Sequence, residues 1–93
     1  MTTALYTHAA CLEHDTGPGH PERKQRLQSV LQALRGAEFE ALQWREAPQA
    51  ERAQIERVHG ADYVRAALAS VPKSGRVNLD GDTVVSPGSG VAA

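Results

Sequence analysis

The stretch His14-Asp15-Thr16-Gly17-Pro18-Gly19-His20-Pro21-Glu22-Arg23, with Arg26 and Leu27 just behind it, decides how the chain is read. Two glycines and two prolines between residues 17 and 21 make this a turn-rich loop. Glycine takes positive φ without steric cost, and proline presets φ near the turn value. His14, Asp15 and His20 are packed into the loop, ahead of a helix expected to open at Pro21. A polar loop ahead of a rigid helix is one way folds present functional side chains. An ordinary exposed loop has the same composition, and spacing alone does not separate the two.

Outward from the loop, Leu27, Val30, Leu31 and Leu34 fall at i, i+3, i+4 and i+7 and predict a helix over residues 22–35. Pro21 suits its first turn, Glu22 its positive end and Arg35 its negative end, with Gly36 as C-cap. Arg23, Lys24, Gln25, Gln28 and Gln32 form the wet face. On the other side, Ala4-Leu5-Tyr6-Thr7 suits a short strand, and His8 to Leu12 either extends it or opens the loop. Cys11 reads as a small buried filler. As a nucleophile it needs an activating base held close, and His8 and His14 each stand three residues away. Leu42 to Ala47 reads as a second strand, with Leu42 and Trp44 on one side and Trp44 in the core or at its edge. Residues 50–58 read as a short helix with Ala53, Ile55 and Val58 inward and Gly60 as its C-cap. Val64, Ala67, Leu68 and Val71 repeat the helical spacing and predict a helix over 61–70, closed by Pro72 and the turn Lys73-Ser74-Gly75.

The tail from Val77 to Ser89 carries Asp80 and Asp82 around Gly81. An EF-hand loop needs oxygen ligands at set positions and a glutamate at the twelfth, and that spacing fails. The tail therefore reads as a polar loop leading into a small-residue helix near Pro87. Ninety-three residues suffice for one small domain. At 41% hydrophobic and 4% aromatic, its core must come from small aliphatics. A net charge of −1 offers no electrostatic footprint for nucleic acid or a membrane surface. One cysteine excludes an intrachain disulfide and a multi-cysteine zinc site, which suits a reducing compartment. The N-terminus lacks the basic start and apolar run of a signal peptide, and no apolar run reaches the ~20 residues of a membrane span. The expectation is a soluble, cytoplasmic chain with no nucleic-acid or membrane partner.

Three ordered motifs carry a family resemblance. Cys11-Leu12 followed by His14-Asp15-Thr16-Gly17 and Gly19-His20-Pro21-Glu22-Arg23 is the first. Arg57-Val58-His59 with Tyr63-Val64 is the second. Leu79-Asp80-Gly81-Asp82-Thr83 with Ser86-Pro87-Gly88-Ser89 is the third. Together they resemble the opening of the histone deacetylase superfamily, near its class II, bacterial amidohydrolase, acetylpolyamine amidohydrolase and acetoin-utilization branches. Two departures stand out. Lys24 occupies a position where many members carry proline, which should let the helix begin a turn earlier. Gly90 stands where a bulky aromatic often follows the serine, which should loosen local packing.

The resemblance implies an arginase/deacetylase α/β fold: an open, mostly parallel sheet flanked by helices. In this chain it should be mainly helical with one or two short strands. It also implies a zinc-dependent hydrolase of acetyl-lysine or acetylated polyamines, whose zinc polarises the carbonyl and activates water while a histidine pair moves protons. The family's histidine dyad, zinc ligands and oxyanion residue have no matching stretch among these residues. His8, His14, His20 and His59 do not substitute, since zinc takes three or four ligands at fitting spacing. No catalytic or metal residue and no bound cofactor is therefore expected here. Residues 1–93 are expected to be a single incomplete domain, inactive alone. By motif match, His20 and Pro21 should line the substrate tunnel, Asp82 should contact substrate at the rim, and Asp15 should brace the loop from behind. The alternative for Asp82 is a cap on the turn at Gly81. The alternative for the chain is a non-catalytic interaction module. Two amphipathic helices and very little sheet predict a homo-oligomer in either case.

Overall fold

The computed structural model describes residues 1–93. Four short strands, β1 (Ala4–Thr7), β2 (Gln43–Glu46), β3 (Val77–Asn78) and β4 (Val84–Val85), are joined by four helices. These are α1 (Lys24–Leu34), α2 (Arg52–Ile55), α3 (Ala61–Ala69) and α4 (Ser89–Ala92), with 3₁₀ turns at Ala9–Glu13 and Ala37–Phe39. The chain is α/β. β1 and β2 pair in parallel, Leu5 opposite Trp44 and Thr7 opposite Glu46, with α1 as the connection between them. Parallel strands need a long crossover, and the 3.6-residue stripe of α1 supplies it. In β2, Trp44 is half-buried while Gln43 and Arg45 are exposed. The Arg35 guanidinium stacks 4.1 Å over the Trp44 ring centroid, tying the end of α1 to β2.

Several expectations are corrected. α1 begins at Lys24, with Arg23 as an extended N-cap at φ −153° and ψ 155°. Pro21 thus lies in the bend ahead of the helix, and Lys24 does not advance the start. It takes the first helical position, the one place where a helix accommodates proline. Gly36 adopts φ −65° and is no left-handed cap. A Cβ there would come within 3.2 Å of the Ala33 carbonyl oxygen, so close backbone approach is what its missing side chain permits. Residues 50–58 hold only the single turn of α2, where Gln54 Oε1 accepts the Glu51 N–H at 2.8 Å. Val58 is 84% exposed and Ala53 is exposed as well, so of the expected inward face only Ile55 is even half-buried. Gly60 precedes α3 as its extended N-cap. Cys11 is half-buried in the 3₁₀ turn that His8 caps, His8 Nδ1 accepting the Ala10 N–H at 2.9 Å. The tail expected as loop is a β3–β4 antiparallel hairpin, Val77 opposite Val85 and Asn78 opposite Val84.

What holds these elements together is mostly polar. Only Val64 and Val84 are buried apolar residues, whereas Thr16, Ser86 and Ser89 are buried as well. α4 packs on the 3₁₀ turn 9–13, which also meets α1. The α1 stripe is only part covered: Leu27, Leu31 and Leu34 are half-buried and Val30 is 49% exposed. No helix is long and apolar enough to cross a membrane.

Candidate functional site

The Gly/Pro loop folds back on itself. Gly17 at φ 94° and Gly19 at φ 79° supply two left-handed residues, a conformation that other L-residues reach only at a cost. Thr16, buried, donates its hydroxyl proton to the Glu22 carbonyl and closes the loop. Asp15 Oδ1 accepts the Gly17 N–H at 2.9 Å, and Asp15 Oδ2 accepts Arg76 Nε and Nη2 at 3.2 and 3.1 Å. The Gly17 amide first, and the Arg76 guanidinium second, hold the Asp15 carboxyl below its usual range. Asp15 thus sits between its own loop and the base of the β3–β4 hairpin.

Behind the loop runs a buried hydroxyl network. The Asp15 N–H donates to Ser86 Oγ at 2.9 Å and the Ser86 N–H to Ser89 Oγ at 2.8 Å. Ser89 Oγ lies 2.6 Å from His14 Nδ1. Buried polar groups that all find partners rigidify a site. These contacts join residues 71 and 75 positions apart. Gly88 lets them form, because a Cβ there would lie 2.4 Å from the Glu13 carbonyl oxygen.

In front, the structure brings His20 and Asp82 together. The Glu22 N–H donates to His20 Nδ1 at 3.0 Å, which leaves the ring proton on Nε2, 2.8 Å from the Asp82 carbonyl oxygen. Asp80 Oδ1 accepts the N–H groups of Asp82 and Thr83, each at 2.8 Å. The Asp82 amide, then the Thr83 hydroxyl and amide, lower the Asp80 pKa. Asp80 is therefore the residue that caps the hairpin turn, and the Asp82 carboxylate makes no hydrogen bond or ion pair within the chain. Pro21 is exposed beside His20. Of the residues singled out from sequence, Asp15, His20, Pro21 and Asp82 all fall on this one loop-and-hairpin face. His59 stands elsewhere, exposed, its ring 5.7 Å from that of Tyr63.

Arg76, Asp80 and the Ser86–Ser89 pair were not singled out as site residues. The two serines flanking Pro87-Gly88 carried a motif signal, whereas nothing distinguishes Arg76 among the basic residues. As for metal, two histidine–carboxylate pairs exist, His8–Glu46 at 3.3 Å and His14–Glu22 at 3.7 Å. Neither gains a third ligand, and no group of three or more His, Cys, Asp or Glu side chains converges. Zinc takes three or four, so the residues present do not fit a zinc site.

Comparison with known proteins accords with the motifs. The histone deacetylase domain family matches residues 20–93. An uncharacterized protein of Synechocystis sp. is 37% identical over 93 residues, spanning 94% of this chain and 29% of its own length. A probable deacetylase of Archaeoglobus fulgidus is 31% identical over 83 residues, spanning 86% of this chain and 23% of its own length. The chain thus spans less than a third of each of these relatives. The match runs through the third motif and nearly four-fifths of the sequence, and on it the chain belongs to the histone deacetylase domain family.

Proposed function

We propose that this chain is the substrate-rim segment of a zinc-dependent, cytoplasmic deacetylase acting on acetyl-lysine or acetylated polyamines. Residues 1–93 are on this reading one incomplete domain, without activity of their own. The observation that carries the reading is the unpaired Asp82 carboxylate. Asp80 already satisfies the turn, so Asp82 is free to accept two amide N–H groups from an extended substrate. Charge-assisted bonds of that kind contribute roughly 1.5–3 kcal/mol each. His20 and Pro21 form the adjoining tunnel wall, and Asp15 braces the loop against Arg76. In a complete deacetylase domain carrying this segment, Asp82→Ala should lower kcat/KM for an acetyl-lysine peptide about tenfold, or ~1.4 kcal/mol. Wild-type turnover by a normally melting Asp82→Ala variant would make Asp82 a turn residue only.

A second reading rests on the surface. The chain exposes 7080 Å², about 1,800 Å² more than expected of a folded monomer of its mass. Such a surplus suits a non-catalytic, oligomerising interaction module. Intact mass from the native source separates the two: about 10.0 kDa favours the module and a several-fold larger mass the deacetylase.

A further inference from the structure

We infer that His20 is a positioning residue for Asp82: its Nε2–H holds the Asp82 carbonyl and so fixes how the neighbouring carboxylate is presented. This rests on the reading of Asp82 as the substrate-facing group. Both ring nitrogens of His20 are spent inside the chain, Nδ1 on the Glu22 N–H at 3.0 Å and Nε2 on the Asp82 carbonyl at 2.8 Å. The imidazole therefore offers a substrate its carbon edge and faces, and no hydrogen bond. On the hairpin side, Asp80 holds the Asp82 N–H. Asp82 is thus pinned at its N–H and at its C=O, which leaves the side-chain rotamer as its remaining freedom. Without His20 the tip rests on two-residue strands, the Leu79 N–H bond to the Thr83 carbonyl and the Asp80 turn bonds, and an isolated two-stranded hairpin is marginal in water. Arg76 and Asp15 anchor the base of the hairpin, so the His20 bond is what ties the tip to the Gly/Pro loop. A carboxylate that must meet amide protons at hydrogen-bond distance is sensitive to such a tether, since small misplacements in a site cost large factors in rate.

Two near-isosteres separate this role from simple support of the loop. Asparagine at position 20 retains an acceptor near Nδ1 but does not reach Asp82, whereas glutamine places an N–H near Nε2. In the full chain, nitrogen-15 NMR should find His20 as the Nε2–H tautomer. Amide exchange at Asp82 and Thr83 should rise about tenfold in His20→Asn and return to the wild-type rate in His20→Gln. Rescue by asparagine instead of glutamine, an Nδ1–H tautomer, or unprotected Asp82 and Thr83 amides in the wild type would each overturn the inference. In a complete deacetylase domain carrying the segment, His20→Asn should raise KM with little change in kcat, and should add nothing to Asp82→Ala. If Asp82→Ala alone is silent, the rim reading fails while the exchange result still decides the tether. If Asp82→Ala costs tenfold and His20→Asn adds a full further loss, the positioning role fails and the rim reading stands.

Discussion

Gly88→Ala should be the most damaging small substitution in the chain. A Cβ at position 88 would lie 2.4 Å from the Glu13 carbonyl oxygen, 2.7 Å from Glu13 Cβ and 2.8 Å from the Glu13 carbonyl carbon. These neighbours are backbone and its first side-chain carbon, so no rotamer change relieves the overlap. The two segments must separate, and the residues next in line are the ones that hydrogen-bond across the gap. His14 Nδ1 is 2.6 Å from Ser89 Oγ, and the Asp15 N–H is 2.9 Å from Ser86 Oγ. Overpacking costs about 1–3 kcal/mol, and each weakened hydrogen bond adds ~1 kcal/mol. With both bonds weakened the expected loss is about 3–5 kcal/mol, a fall in Tm of roughly 12–40 °C for a chain of this size. Two residues on, a Cβ at Gly90 meets only Val71 methyls, at 3.6 and 3.9 Å, which is ordinary contact. Gly90→Ala should therefore stabilise α4 by about 0.5–1 kcal/mol through helix propensity. Thermal and urea unfolding of both variants, followed by circular dichroism beside the wild type, gives the comparison. A Gly88→Ala variant that melts at or above the wild type refutes the reasoning, as do two variants that shift together.

Acid should destabilise the chain in a defined window. Asp15 and Asp80 have folded pKa values below the ordinary 3.8, so their contribution is present above about pH 4 and lost as pH falls through the lower folded values. The urea midpoint should drop below about pH 4, and Asp15→Asn with Asp80→Asn should flatten that drop; an unchanged acid slope speaks against it. The chain alone should hold no stoichiometric zinc by metal analysis and should not turn over an acetyl-lysine peptide above background. Either positive result would defeat the assignment of zinc and catalysis to other residues. Sedimentation should find a dimer or larger assembly, and a well-folded monomer at high micromolar concentration counts against that.

Legibility followed the range of the interaction. The stripes of α1 and α3 are readable because each depends on neighbours a turn or two away, and α3 ends within one residue of expectation; the strand at residues 4–7 is readable from its residue types, although its partner lies 39 positions on. α2 is shorter than expected, because of Ala53, Ile55 and Val58 only Ile55 is even half-buried and Val58 is left 84% exposed. Gly36 and Gly60 suit C-caps by their place after a helical stretch, yet neither has positive φ; Gly36 serves close backbone approach, and Gly60 opens the next helix. The β3–β4 hairpin was hidden by its length, two residues a side, too short for alternation to register. In the candidate site, the motif points to His20, Pro21, Asp82 and Asp15 but not to Arg76, whose partner Asp15 lies 61 positions away.

The same contrast separates two kinds of stability in this chain. Its loop-and-hairpin face is fixed by polar bonds with directional geometry: Thr16 to Glu22, Asp15 to Arg76, His20 to Asp82 and the serine network. These bonds are satisfied within residues 1–93, so that face carries its own shape. The apolar elements do not. A parallel pair of strands ordinarily lies covered on both faces, and here it stands as a two-stranded sheet beside an incompletely covered helical stripe. The radius of gyration, 15.3 Å, exceeds the ~12 Å of a compact chain of this length accordingly. Substitutions on the α1 stripe, at Leu27 or Leu31, should therefore act through whatever covers that face, changing assembly or solubility. Substitutions at His20, Asp80 or Asp82 should act on the geometry of the loop-and-hairpin face while leaving assembly unchanged. Measuring sedimentation and local amide exchange on both sets of variants distinguishes the two, because a loop-and-hairpin face that depended on the apolar faces would lose its exchange protection with Leu31→Ala as readily as with His20→Asn.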